Sequence, residues 1–142
     1  MTEVLIATDA DAVFAEVEAA LVDETTDVVR VRSGQEVAGA VDASKPELVV
    51  LDLQIGNMGG MATCMHLHLE AGAGRLPRVP VLMLLDRSPD VFLAKRSGAD
   101  GWLIKPIDSL RLRKAADTLR KGGNFTEHAE VITVPAQPAQ TS

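Results

Sequence analysis

Four short apolar runs, VLIA (4–7), LVVLDL (48–53), VLMLL (81–85) and GWLI (101–104), are separated by stretches whose apolar residues recur at helical intervals. No other feature narrows the fold as much. Runs of this length suit strands, and a continuous run, unlike an alternating one, fits a strand buried on both faces. After the first run, Val13, Phe14, Val17, Ala20 and Leu21 share one face of a helix predicted over 11–22, with Asp11 where an N-cap belongs. DVVRVR (27–32) alternates and reads as a strand nearer an edge. Further helices are predicted over 34–43, stopped by Lys45-Pro46, and over 61–70, 89–97 and 108–120, the last two ended by Gly98 and Gly122-Gly123. AGAGRLPR (71–78) is a loop. Strand and helix thus alternate five times, which predicts an α/β fold, a parallel sheet with helices on both faces and the first, third and fourth strands at its centre.

A chain of 142 residues suits one domain with one real core. The expected division is a folded domain over 1–122 and a polar, disordered C-terminal tail over 123–142, which holds Pro135 and Pro138. The net charge of −6 argues against nucleic acid as a direct partner, because phosphate binding needs a basic footprint. No apolar run approaches the roughly 20 residues that cross a bilayer, so no membrane insertion is expected. The start, MTEVLIATDAD, has no basic residue before its apolar run, and one cysteine cannot form an internal disulfide. These features predict a cytoplasmic protein.

In open α/β sheets ligands bind beyond the carboxyl ends of the strands. The first strand ends in Thr8-Asp9, the third at Asp52, the fourth in Leu85-Asp86 and the fifth in Ile104-Lys105-Pro106. Any one of these could be no more than the first polar residue after a strand. Together they place three acids and a lysine on one rim. Close carboxylates repel unless a cation lies between them, and a few oxygen ligands completed by water suit Mg²⁺. A carboxylate can also attack phosphorus to give an aspartyl phosphate, which a lysine can pair with as a point charge. The set therefore reads as an acyl-phosphate site with Asp52 as nucleophile, Asp9 on the metal and Lys105 on the phosphoryl group.

Residues 3–121 resemble a response regulator receiver domain. The resemblance is carried by Asp9 after the first strand, VLDL with Asp52, and Gly60 in the loop beyond. It is carried further by Pro80 before VLMLL, by Gly98-Ala99-Asp100-Gly101, and by Lys105-Pro106. It implies a flavodoxin-like, doubly wound (βα)5 sheet in the order 2-1-3-4-5, and a phosphoprotein of two-component, phosphorelay signalling, not an enzyme. Asp52 would be the phosphoacceptor, served by a histidine kinase or a small phosphodonor, and Lys105 would contact the phosphoryl group. Mg²⁺ would be held by Asp9, Asp52 and the backbone carbonyl of Gln54. Leu85, Asp86 and Trp102 would stand at the switch and output positions, and the fourth helix, fifth strand and fifth helix would form the face that meets a protein partner. In the family the bond before the matching proline is usually cis. DADAVF, LMLLDR and GWLIKP are similar to stretches of stand-alone actinobacterial members, which implies output through protein contact.

The chain departs from the family at its most reactive positions. Thr8 stands where a second acid is usual, and Leu85 replaces the hydroxyl that binds the phosphoryl group. Asp86 replaces a small residue; it would either repel a phosphoryl group or take over part of the missing acid's hold on metal. The loop IGNMGG (55–60) has glycine where an acid is common. These changes support an alternative, an atypical receiver that binds its partner constitutively without phosphorylation, with Trp102 as a fixed contact. Elsewhere, Cys64 and His68 share a helix face that His66 does not, and they lack a fourth metal ligand. RLRK (111–114) and LRK (119–121) give the last helix a solvated or partner-docking basic side, and Phe92 and Leu93 are expected in the core.

Overall fold

The computed structural model describes residues 2–126 and contains six strands and five α-helices. The strands are β1 (Thr2–Ala7), β2 (Thr26–Val31), β3 (Leu48–Asp52), β4 (Val81–Leu85), β5 (Gly101–Ile104) and β6 (Phe125–Thr126). The helices are α1 (Asp11–Leu21), α2 (Val37–Ser44), α3 (Gly60–Gly72), α4 (Val91–Ser97) and α5 (Ser109–Arg120). All pairings are parallel, in the order β2-β1-β3-β4-β5-β6. The expected 2-1-3-4-5 arrangement is present, with one short strand added at its outer edge.

Every residue of β3 and β4 is buried, as their continuous apolar runs require. Successive side chains point to opposite faces, so each strand feeds two cores. Leu5, Val49, Leu51, Met83 and Leu85 pack with Val37, Cys64, Leu67 and Ala94 on the side of α2, α3 and α4. Val4, Ile6, Val50, Leu82 and Leu84 pack with Val17, Leu21, Leu112 and Leu119 on the side of α1 and α5. The two cores clamp the strands, and their carboxyl ends become fixed mounts for whatever follows them.

Several helix starts differ from expectation. Ala10, not Asp11, holds the N-cap position of α1, and its cap makes no side-chain hydrogen bond. Asp11 is the first helical residue and is drawn away to Arg30 and Arg32, at 2.9 and 3.0 Å. The segments before α2 and α4 open as single 3₁₀ turns, Gly34–Glu36 and Ser88–Asp90. α4 ends where expected, with Gly98 in the left-handed conformation (φ 83°).

β6 was not expected from the sequence. Phe125 and Thr126 pair with Gly101 and Trp102, and the Asn124 side-chain amide donates to the Asp100 carbonyl at 3.2 Å. The remainder of the expected tail lies outside the described residues.

Candidate functional site

Asp52 is the last residue of β3 and is only 2% exposed. A buried carboxylate is costly unless it is paired and hydrogen-bonded, and every contact around Asp52 answers that need. Its Oδ1 lies 3.0 Å from Lys105 Nζ and accepts the Gln54 backbone N–H at 3.1 Å. Its Oδ2 accepts the Thr8 hydroxyl at 2.8 Å. Gly60 closes the floor. A Cβ there would stand 2.7 Å from Leu53 Cα and 2.9 Å from the Asp52 carbonyl oxygen, so α3 can start against the end of β3 only with glycine in that place.

Thr8, fully buried at the end of β1, is held from three sides. Its hydroxyl donates to Asp52 and accepts the Ala10 N–H at 3.1 Å. Its carbonyl accepts Nε and Nη2 of Arg30 at 3.2 and 3.1 Å. Arg30 also lies 4.7 Å from the centre of the Phe14 ring. Sequence reasoning missed Arg30, to which the alternating pattern of its strand assigned no role.

Lys105 follows β5. Its backbone N–H donates to the Leu85 carbonyl at 2.7 Å, and the Lys105–Pro106 peptide bond is cis, as the resemblance implied. Its ammonium is shared between Asp52 and Asp86, the latter at 2.9 Å. Burial works against the Lys105 charge, but the hydrogen bonds to Asp86 and Asp52 outweigh it and hold the pKa above its ordinary value. Asp86 thus does something neither sequence alternative named: it is a second counterion for the lysine.

The structure joins Asp52, Lys105, Thr8 and Asp86 but leaves Asp9 outside their hydrogen bonds. Asp9 is exposed, and its Oδ2 accepts the Gly56 N–H at 3.1 Å. Among the described residues no three Asp, Glu, His or Cys side chains group closely enough to hold a metal ion. The oxygen donors at hand are the Asp9 and Asp52 carboxylates and the Gln54 carbonyl. Such a sparse, all-oxygen set, with water completing the shell, has the chemistry Mg²⁺ takes. Cys64 is buried in the core beneath α2, α3 and α4, and burial pushes its thiol up to about 11.

Leu85 is fully buried and Trp102 is 6% exposed, and both belong to the core under α4. Phe92, expected in the core, is instead 60% exposed, while Leu93 packs partly buried against it. On α5, Arg111 turns back to the carbonyls of Ile104 and Pro106 at 3.1 and 3.0 Å.

Comparison with known proteins agrees with the fold. The family model for the response regulator receiver domain matches residues 4–117. The DNA-binding response regulator MtrA of Mycolicibacterium paratuberculosis is 31% identical over 138 residues, covering 94% of this chain and 58% of that protein. The transcriptional regulatory protein AfsQ1 of Streptomyces coelicolor is 26% identical over 125 residues, 86% of this chain and 53% of that protein. The chain therefore spans little more than half the length of these curated relatives. Among solved structures, the chemotaxis response regulator CheY4 of Vibrio cholerae superposes with a TM-score of 0.72 at 23% identity, covering 82% of this chain and 97% of that one.

Proposed function

Since the chain belongs to the response regulator receiver domain family, a family of two-component signalling modules, we propose that it accepts a phosphoryl group on Asp52 and passes the outcome on through protein contact. The observation that carries this reading is the Asp52 carboxylate at the end of a fully buried strand, 3.0 Å from the Lys105 ammonium. A carboxylate oxygen of Asp52 attacks phosphorus in a histidine kinase or small phosphodonor. The bond from phosphorus to the donor atom breaks, and its electron pair leaves with the donor. Lys105 then faces the new phosphoryl oxygens as a fixed positive charge. Receiver domains generally bind Mg²⁺ at their acidic pocket; here Asp9, Asp52 and the Gln54 carbonyl would hold it, and it would offset the negative charge gathered at the transfer. The chain would work as a stand-alone cytoplasmic receiver whose sheet runs on past residue 122 to β6, with α4, β5 and α5 as its output face. No helix among the described residues is long and apolar enough to cross a membrane.

A second reading, constitutive partner binding without phosphorylation, is favoured by a separate observation. Leu85 and Trp102 are buried in one apolar cluster where the family keeps a hydroxyl and a mobile aromatic ring. Leu85 has no polar atom to answer a phosphoryl group, so the output face would be held in one state.

Incubation with Mg²⁺ and acetyl phosphate or phosphoramidate, followed by intact mass, separates the two. One added phosphoryl group, absent in Asp52→Ala, is the expected result. A chain left unmodified by every donor would give the second reading the field.

A further inference from the structure

Of the large apolar side chains exposed among the described residues, Leu69 (68%) and Met65 (42%) line concavities between α3 and α4, while Phe92 (60%) and Met58 (39%) stand outside them. Leu69 and Met65 belong to α3, Met58 to the loop before it and Phe92 to α4. Two concavities run end to end between these helices. One, of about 530 Å³, begins at Leu53 and Gln54, immediately after Asp52, and passes Met61, Ala62, Met65 and Leu93. The other, of about 510 Å³, continues from Met65 past Leu69 to Lys95, Arg96 and Gly98. Met65 is common to both, so they form one groove.

The charge along this groove runs against that of the chain. The protein carries a net −6, yet no acidic residue lines either concavity. Its cations are Arg78, already paired with Asp100 at 2.6 Å, and Lys95 and Arg96 at its far end. Neither Lys95 nor Arg96 has an ion-pair partner among the described residues; Arg96 lies over the Phe92 ring, 5.3 Å from its centre. Methionine suits a surface that must mould itself to an incoming side chain. From Gly60 to Leu69 the floor extends roughly 15 Å, about three helical turns.

We propose that the α3–α4 groove docks an amphipathic helix of a partner protein, one whose apolar face is flanked by Asp or Glu. The apolar side chains fill the methionine-lined floor, and the acids meet Lys95 and Arg96. The inference goes beyond phosphorylation at Asp52 and does not depend on it. It also seats a partner between α3 and α4, so that α4 is shared with the face formed by α4, β5 and α5.

The test uses the full chain with ¹³C-methyl methionine, and as probe a synthetic helix of about four turns with leucines on one face and glutamates beside them. Met61 and Met65 methyl signals should move with added peptide while buried Met83 stays fixed, which also reports that the fold is intact. Lys95→Glu with Arg96→Glu should weaken binding at least about tenfold. A matched peptide with lysines in place of glutamates should bind that variant and not the native chain. Lys95→Glu alone, with a smaller loss, keeps the test sound if the double variant folds poorly. The proposal is overturned if the methionine signals ignore the peptide or if the lysine peptide binds the native chain equally well. Signals that move with protein concentration alone would assign the groove to a second copy. Signals that move on changing Glu127 and Glu130 to Ala, without peptide, would assign it to the chain's own C-terminal residues. Either result would also overturn it.

Discussion

Asp86 holds Lys105 at 2.9 Å while Lys105 holds Asp52 at 3.0 Å, so one cation serves two carboxylates. A phosphoryl group arriving on Asp52 must compete with Asp86 for that cation and approach against its charge. Asp86→Ala should therefore speed labelling by acetyl phosphate. At the intermediate dielectric of a site edge, removing one such charge is worth roughly 1 kcal/mol, or about a fivefold rate. Intact mass followed over time reads this directly, and an unchanged or slower rate would show that Asp86 does not oppose transfer.

Thr8 sits fully buried with its hydroxyl on Asp52. Thr8→Asp puts a carboxylate there, and two acids in contact repel unless a cation intervenes. Without Mg²⁺ the variant should melt lower than the native chain; with Mg²⁺ it should recover, and its Mg²⁺ affinity should exceed the native value. Combined with Leu85→Thr, labelling should also quicken. A Mg²⁺-dependent melting shift equal in native and variant chains would count against this account of the departures.

Trp102 is the sole tryptophan and is buried in the same apolar cluster as Leu85, opposite Met83 of β4. Its emission should be blue-shifted and should stay so when beryllofluoride or acetyl phosphate is added with Mg²⁺, because Leu85 offers no polar link to the site. Trp102→Ala should cost about 3–5 kcal/mol in chemical denaturation. A red shift on adding the phosphoryl mimic would show that the ring does move.

The strands were plain in the sequence because continuous apolar runs have few alternative uses. Asp52 and Lys105 followed from them, since strand ends in such sheets share a rim. What pattern reading could not supply was direction. Asp9 sits on that rim, yet its carboxylate turns to Gly56, a choice made by loop geometry. The alternation of its strand gave Arg30 no assigned direction, and its long side chain reaches the Thr8 carbonyl. Phe92 fitted a helical apolar pattern and still faces outward, because α4 is short and Val91 and Ala94 already fill its inner side. β6 was hidden because two residues leave no periodicity to detect.

Cys64 offers a pH test. Burial raises its thiol from 9.0 to about 11, so at pH 8 the native chain should react with a disulfide reagent at least about 100-fold more slowly than the unfolded chain. Between those two values the folded chain keeps a proton that the unfolded chain has lost, so stability falls as pH rises. The raised Lys105 pKa acts in the same direction, its contribution disappearing only as pH climbs beyond the ordinary lysine value of 10.5. Cys64→Ala should flatten the earlier part of the decline and leave the later part. Equal slopes in both chains would remove Cys64 as the cause.

Phe125 and Thr126 occupy the first two places along the outer side of β5. Unclaimed sheet borders are where neighbouring molecules can zip on and begin templated growth. An invading strand must displace this pair to reach Gly101 and Trp102, so the chain stands guard over its own seam at the root.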